Sequence, residues 1–200
     1  VDATVELFRR LGVDEHGIDY VHDVPAGHAL ISPGAAHACA ATATPFLNRC
    51  DVDGAPYDQA KAVLTQIYGV LQAPPAPSTP LPIAFDQRPF AAATAQMADT
   101  GHVYAPAACS TAGARCRIHV ALHGCLQAEE SVHEAFYRDA GFNRWADANR
   151  LIVLYPQVNQ SASNAFGCWD WWGYTGADYA KKSAPQMKAI MAMVKRLTQP

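Results

Sequence analysis

The sequence predicts an α/β domain, and three observations predict it. Two short apolar runs of buried-strand type stand at 118–122 and Leu151–Tyr155, with the length and branched content of strands covered on both faces. The stretch 134–149 between them is long enough for a crossover helix, the connection that two parallel strands require. The segment Pro185–Leu197 places Met187, Ile190, Met191, Val194 and Leu197 on one helical stripe. Proline suits its first turn, where a missing N–H costs nothing.

Ahead of that core the elements are weaker. Residues 1–11 put Val1, Val5, Phe8 and Leu11 on one face at helical spacing, with Glu6, Arg9 and Arg10 elsewhere and Gly12 as C-cap. No capping residue precedes this helix, so a domain incomplete at its N-terminus is expected. Residues 19–24 read as a short strand ending at the turn Pro25-Ala26-Gly27, which puts His28 on a strand-end loop, where catalytic groups tend to sit. From 39 to 90 the sequence is irregular apart from a helix over Gln59–Tyr68. The proline-rich 73–82 reads as a surface loop inside one domain rather than a boundary.

Half of the 200 residues are apolar and 16% are charged, which supports one domain with a real core and excludes disordered and fibrous classes. A net charge of −3 offers no basic footprint, so neither nucleic acid nor a membrane surface is expected as partner. A monomer is expected. No apolar run approaches the roughly 18 residues of a membrane span. The six cysteines, Cys39, Cys50, Cys109, Cys116, Cys125 and Cys168, contain no CxxC pair. An even count at short separations reads as disulfides in an exported protein, extracellular or periplasmic. Many connectivities are open. Joining near neighbours pairs Cys39 with Cys50 and Cys109 with Cys116, which leaves Cys125 for Cys168.

Chemistry concentrates in three places. His123-Gly124-Cys125 follows directly on the run 118–122. A His-Gly turn after a strand can aim a backbone N–H at the oxyanion of a tetrahedral intermediate, because glycine permits the tight geometry. Cys125 is then the donor; the plain alternative is an ordinary strand-to-helix turn. His28 is the candidate general base, since a serine nucleophile needs an imidazole within hydrogen-bond reach, and His22 and His37 lack the strand-end position. The run Cys168-Trp169-Asp170-Trp171-Trp172-Gly173-Tyr174 can wall an apolar ligand or pack into the core. His119 and His123 do not read as metal ligands, because four residues of strand separate them by about 13 Å. No serine sits in a GxSxG-type elbow: Ser32, Ser78, Ser110, Ser131, Ser161, Ser163 and Ser183 all lack the flanking small residues. The nucleophile is expected outside these residues, and oxidised cysteines do not replace it.

The motifs Gly27-His28-Ala29, Phe85-Asp86-Gln87, HVALHGC ending at Cys125, WADANRLIVLYPQ ending at Gln157 and CWDWWGYTG starting at Cys168 together resemble the secreted poly(3-hydroxybutyrate) depolymerases. The likeness runs along essentially the whole chain. It is to the type with a circularly permuted α/β-hydrolase catalytic domain, in which serine, aspartate and histidine come first and the oxyanion strand last. The order of His28 before His123 agrees with permutation, because the oxyanion strand otherwise precedes the histidine.

The resemblance implies a secreted serine esterase of short-chain polyhydroxyalkanoates, with His28 as triad base and Cys125 as oxyanion donor. It implies Trp169, Trp171 and Trp172 at the substrate site, and no cofactor. The family's serine elbow and aspartate turn have no counterpart, and Asp2, inside a helix, is a poor substitute. The chain is therefore expected to be the C-terminal part of the catalytic domain and inactive alone. Two alternatives keep part of the pattern: a secreted carboxylesterase of feruloyl or acetyl-xylan type, and a non-catalytic polymer-binding module using the tryptophan loop.

Overall fold

The computed structural model describes residues 1–74, 80–111 and 113–199, so the middle of the proline-rich segment expected as a loop at 73–82 lies outside the described residues. Helix α1 (Asp2–Arg10) forms where the spacing predicts it, but buries only Val5 and leaves Phe8 and Leu11 exposed. Residues 19–24, expected as a strand, pair with no neighbour among the described residues. Tyr20 instead turns its hydroxyl to Asp2 of α1. His28 consequently lies just ahead of a strand, β1 (Leu30–Ile31), rather than beyond one.

A small parallel sheet of β1, β2 (His37–Ala38) and β3 (Leu47–Arg49) runs in the order β1-β3-β2. β4 (Asp51–Val52) and β5 (Ala55–Pro56) pair antiparallel beside it. Helix α2 (Gln59–Tyr68) keeps the boundaries its sequence predicts: the Asp58 carboxylate accepts the Lys61 N–H at 3.0 Å at its start, and Gly69 ends it at φ 81°.

Among the described residues the main sheet has four strands, β6 (Ile83–Asp86), β7 (Thr100–Tyr104), β8 (Arg117–Val120) and β9 (Leu151–Tyr155), in the order β6-β7-β9-β8. β8 and β9 are parallel, as a crossover connection demands, while β7 is antiparallel to both β6 and β9. The crossover is not one helix over 134–149. It is α3 (Glu129–Val132), α4 (Ala135–Asp139) and α5 (Phe142–Asn149), interrupted at His133 and Gly141, whose φ values of 51° and 96° no right-handed helix accommodates.

Side chains of β9 alternate between two layers, as strand geometry dictates. Leu151, Val153 and Tyr155 join Phe136, Phe142, Trp145 and Ala146 from the crossover. Leu154 faces the other way, against Ala189 and Met193 of α6 (Pro185–Leu197). Each Leu or Val fully buried in this α/β/α stack contributes about 1.5–3 kcal/mol. The ends of α6 match expectation, but its buried stripe does so only in part: Val194 and Leu197 pack against the cluster, Gln186, Ala189 and Met193 face inward, and Met187 and Met191 are exposed. A glutamine is tolerated inside because its amide is fully engaged, donating to the Ala95 carbonyl (3.0 Å) and the Tyr174 hydroxyl (2.7 Å) and accepting the Asp170 N–H (2.9 Å).

All six cysteines are paired, Cys39 with Cys50, Cys109 with Cys116 and Cys125 with Cys168. Among the described residues no helix is long and apolar enough to cross a membrane.

Candidate active site

The oxyanion candidate is built where β8 leaves the sheet. The Ala121 N–H still bonds to the Leu154 carbonyl (2.9 Å), and the chain then turns through His123-Gly124-Cys125. His123 is almost fully buried and braces this turn. Its Nε2 accepts the Val158 N–H at 3.2 Å, so Nδ1 carries the proton and donates to the Gly124 carbonyl at 2.8 Å. Burial holds its pKa below the usual histidine value, against the opposing pull of that carbonyl, and the ring therefore stays neutral near pH 7 as a structural strut.

Within the turn the backbone amides have separate fates. The Gly124 N–H is taken by the Gln127 side-chain oxygen at 2.8 Å, and the Leu126 N–H by the Phe166 carbonyl at 2.7 Å. The Cys125 N–H has no acceptor among the described residues. An amide held in place and left unsatisfied is the arrangement an anionic oxygen requires. The disulfide to Cys168 fixes the same turn to the aromatic loop.

His28 reaches this turn from the small sheet. Its backbone N–H donates to Thr42 Oγ1 (3.0 Å), the Gly27 N–H donates to the Cys39 carbonyl (2.8 Å), and the Leu30 N–H donates to the Phe46 carbonyl (3.0 Å). Buried Asn48 ties down the turn beneath, donating to the carbonyls of Cys39 (2.8 Å) and Ala41 (2.7 Å). The His28 ring is exposed and meets Phe46 edge-on at 6.5 Å, and among the described residues its nitrogens have no hydrogen-bond partner. His28, Phe46, Cys125, Gln127 and Phe166 line one open cleft of about 550 Å³. An apolar groove of about 480 Å³ between α1 and α2 joins residues such as Val5, Phe8 and Ile67 and holds neither a histidine nor the oxyanion turn.

Gly27 permits this placement. A Cβ there would lie 2.0 Å from the Ala41 carbonyl oxygen, a backbone atom that cannot step aside. Gly27→Ala is expected to destabilise the fold by about 3 kcal/mol, or roughly 6–12 °C in Tm, and to displace His28. A thermal melt with the wild-type midpoint would contradict this packing.

The aromatic loop is organised by two polar residues. Buried Asn164 exchanges two hydrogen bonds with the Cys168 backbone, at 2.8 and 2.9 Å. The Asp170 carboxylate accepts the N–H groups of Trp172 (3.2 Å), Gly173 (2.6 Å), Tyr174 (3.1 Å) and Thr175 (2.8 Å) and the Thr175 hydroxyl (2.6 Å). Burial alone would raise its pKa, but the hydrogen bonds led by Thr175 outweigh burial and hold it below the usual carboxylate value. The three tryptophans expected to act together separate. Trp169 is half-buried against His123 at 5.4 Å, outside the lining of the cleft, where Phe166 stands instead. Trp171 and Trp172 are 70% and 41% exposed and meet edge to face at 5.2 Å. No signal in the sequence singled out Phe46, Gln127 or Phe166, because each reaches the cleft through tertiary contact alone.

No protein-family model matches the chain. In sequence it is 42% identical over 182 residues to the poly(3-hydroxybutyrate) depolymerase of Delftia acidovorans, a match covering 90% of this chain and 35% of that protein. It is 33% identical over 172 residues to the polyhydroxybutyrate depolymerase of Talaromyces funiculosus, covering 80% and 49%. In fold it superposes on the crystal structure of PHB depolymerase from Penicillium funiculosum with TM-score 0.78 at 33% identity, covering 88% of this chain and 58% of that one. A PHB depolymerase complexed with an R3HB trimer gives TM-score 0.81 at 32% identity, covering 92% and 60%. The chain thus spans about a third to three fifths of the proteins it matches.

Proposed function

Since this chain is related, in sequence and in fold, to a part of the poly(3-hydroxybutyrate) depolymerases, we propose that it supplies the general base and the oxyanion donor of a secreted serine esterase acting on short-chain polyhydroxyalkanoates. The observation that carries this reading is the cleft shared by the unpartnered Cys125 amide and the free imidazole of His28. The α/β layering and the three disulfides fit a secreted hydrolase.

In this reading a serine outside these 200 residues attacks the ester carbonyl while His28 takes its proton. The oxyanion is held by the Cys125 N–H and by a second amide beside the serine. Collapse breaks the ester C–O bond, and His28 returns the proton to the departing 3-hydroxyacyl alcohol. Water then attacks the acyl-serine by the same two steps and releases the acid. Exposed Trp171 and Trp172 offer flat apolar area to a polymer, while Trp169 packs against His123 of the candidate oxyanion turn. No cofactor enters the sequence of steps.

The test is turnover by the chain extended through the rest of its reading frame, on poly(3-hydroxybutyrate) film and on feruloylated oligosaccharide side by side. Film clearing without ferulate release is expected. Ferulate release without film clearing would replace this substrate class with that of a plant-polysaccharide esterase, and activity on neither would leave only polymer binding.

A further inference from the structure

We propose that Gln127 is a positioning residue that locks the oxyanion turn to the loop carrying the base, an inference that rests on the functional reading above. Gln127 is 6% exposed, and its amide is used at both ends. Its Oε1 accepts the Gly124 N–H at 2.8 Å, while Nε2 donates to the carbonyls of Pro45 (3.0 Å) and Phe46 (3.1 Å), some eighty residues earlier in the chain. The same Phe46 carbonyl accepts the Leu30 N–H at 3.0 Å, two residues after His28, and the Phe46 ring meets the His28 imidazole edge-on. One side chain therefore connects the Gly124 amide through Phe46 to the segment that holds the base.

Two consequences follow for the chemistry. By occupying the Gly124 N–H, Gln127 leaves the neighbouring Cys125 N–H as the donor available to an oxyanion, and it fixes the orientation of the intervening peptide. It also sets the separation between that donor and His28, which have to act on one carbonyl. A donor displaced by a fraction of an ångström still lets substrate bind, because the oxyanion exists only in the transition state. Loss of Gln127 therefore acts on kcat and leaves KM nearly unchanged.

The experiment measures kcat, KM and Tm on a soluble butyrate ester for the chain extended through its reading frame, carrying Gln127→Ala, Gln127→Met or Gln127→Glu, with His28→Ala as reference. Gln127→Met fills the same volume without hydrogen bonds, so it separates packing from positioning. For both Gln127→Ala and Gln127→Met, kcat is expected to fall by about 10–100-fold, with KM within about threefold. The glutamate variant accepts the Gly124 N–H when ionised but repels the two carbonyls. Protonated, it accepts the Gly124 N–H and donates its single O–H to one of the two carbonyls, so its kcat relative to wild type is expected to rise in part as the pH falls. Wild-type kcat per folded molecule in Gln127→Met, with only Tm lowered, would overturn the positioning role. If His28→Ala is inactive in that same series, the failure belongs to this inference alone; if His28→Ala retains full activity, the functional reading itself has failed.

Discussion

Replacing His28 with alanine, in the chain extended through its reading frame, is expected to lower kcat on a soluble butyrate ester by at least about a thousandfold. In the proposed mechanism His28 takes the serine proton during attack and returns it to the leaving alcohol, and among the described residues lining the cleft no other side chain is a base. The fold has little stake in that ring: it is exposed and makes no hydrogen bond among the described residues. Its stability change is therefore expected to stay within about 0.5 kcal/mol. The combination of lost turnover and an unchanged melt separates His28 from buried His123, whose two ring hydrogen bonds brace the oxyanion turn. An alanine variant that keeps more than a tenth of wild-type kcat would remove His28 from the mechanism.

The 200 residues made alone are expected to hydrolyse neither polyester nor soluble butyrate ester above a histidine-only background. An imidazole and an amide can assist attack by water, but no acyl-enzyme forms without a nucleophile. None of the described serine hydroxyls hydrogen-bonds to His28. Ser161 and Ser163 are spent on Gln96, and Ser32 is buried at the end of β1, where its N–H donates to the Asn48 carbonyl at 2.9 Å. A serine-directed fluorophosphonate is the check. Stoichiometric labelling of the isolated chain, with turnover on the order of 10 per second, would mean that the nucleophile lies within these residues after all.

The parts of the fold legible in the sequence are those fixed by local chemistry. Helices α2 and α6 have the boundaries that Asp58, Gly69 and Pro185 dictate, and β9 is the apolar run Leu151–Tyr155. β8 closes at Val120, two residues before the expected end, because the chain must turn out of the sheet to present His123 and Cys125. What escaped depends on distant partners. β7 carries Gly101 and His102, which no strand pattern favours; Gly101 is needed because a Cβ there would lie 2.6 Å from Gln87 Oε1, and His102 is paired with Glu129 at 3.0 Å. The stripe of α6 is right at Val194 and Leu197 but misses Gln186, because a buried glutamine looks polar until its three partners are known.

The site divides in the same way. That His28, Gly124 and Cys125 line one cleft was legible because their residue types are chemically unusual in their local setting, and nearest-neighbour pairing of the cysteines gave the connectivity found. The expectation for His28 reached the cleft by a wrong route, since the strand before it does not exist and its position comes instead from Thr42, Asn48 and the Cys39 turn. Trp169 was expected in the wall of the cleft, but its ring packs against His123 at 5.4 Å, and Phe166 lines the cleft.

The most direct test of the shared site is the structure of the extended chain inhibited by an alkyl phosphonate, whose tetrahedral phosphorus mimics the intermediate. The account predicts one phosphonyl oxygen at about 2.7–3.1 Å from the Cys125 amide nitrogen, with the His28 imidazole within about 3.2 Å of the serine oxygen bonded to phosphorus. A phosphonyl oxygen held by other donors while the Cys125 N–H points elsewhere, or a His28 ring out of reach of that serine, would contradict it.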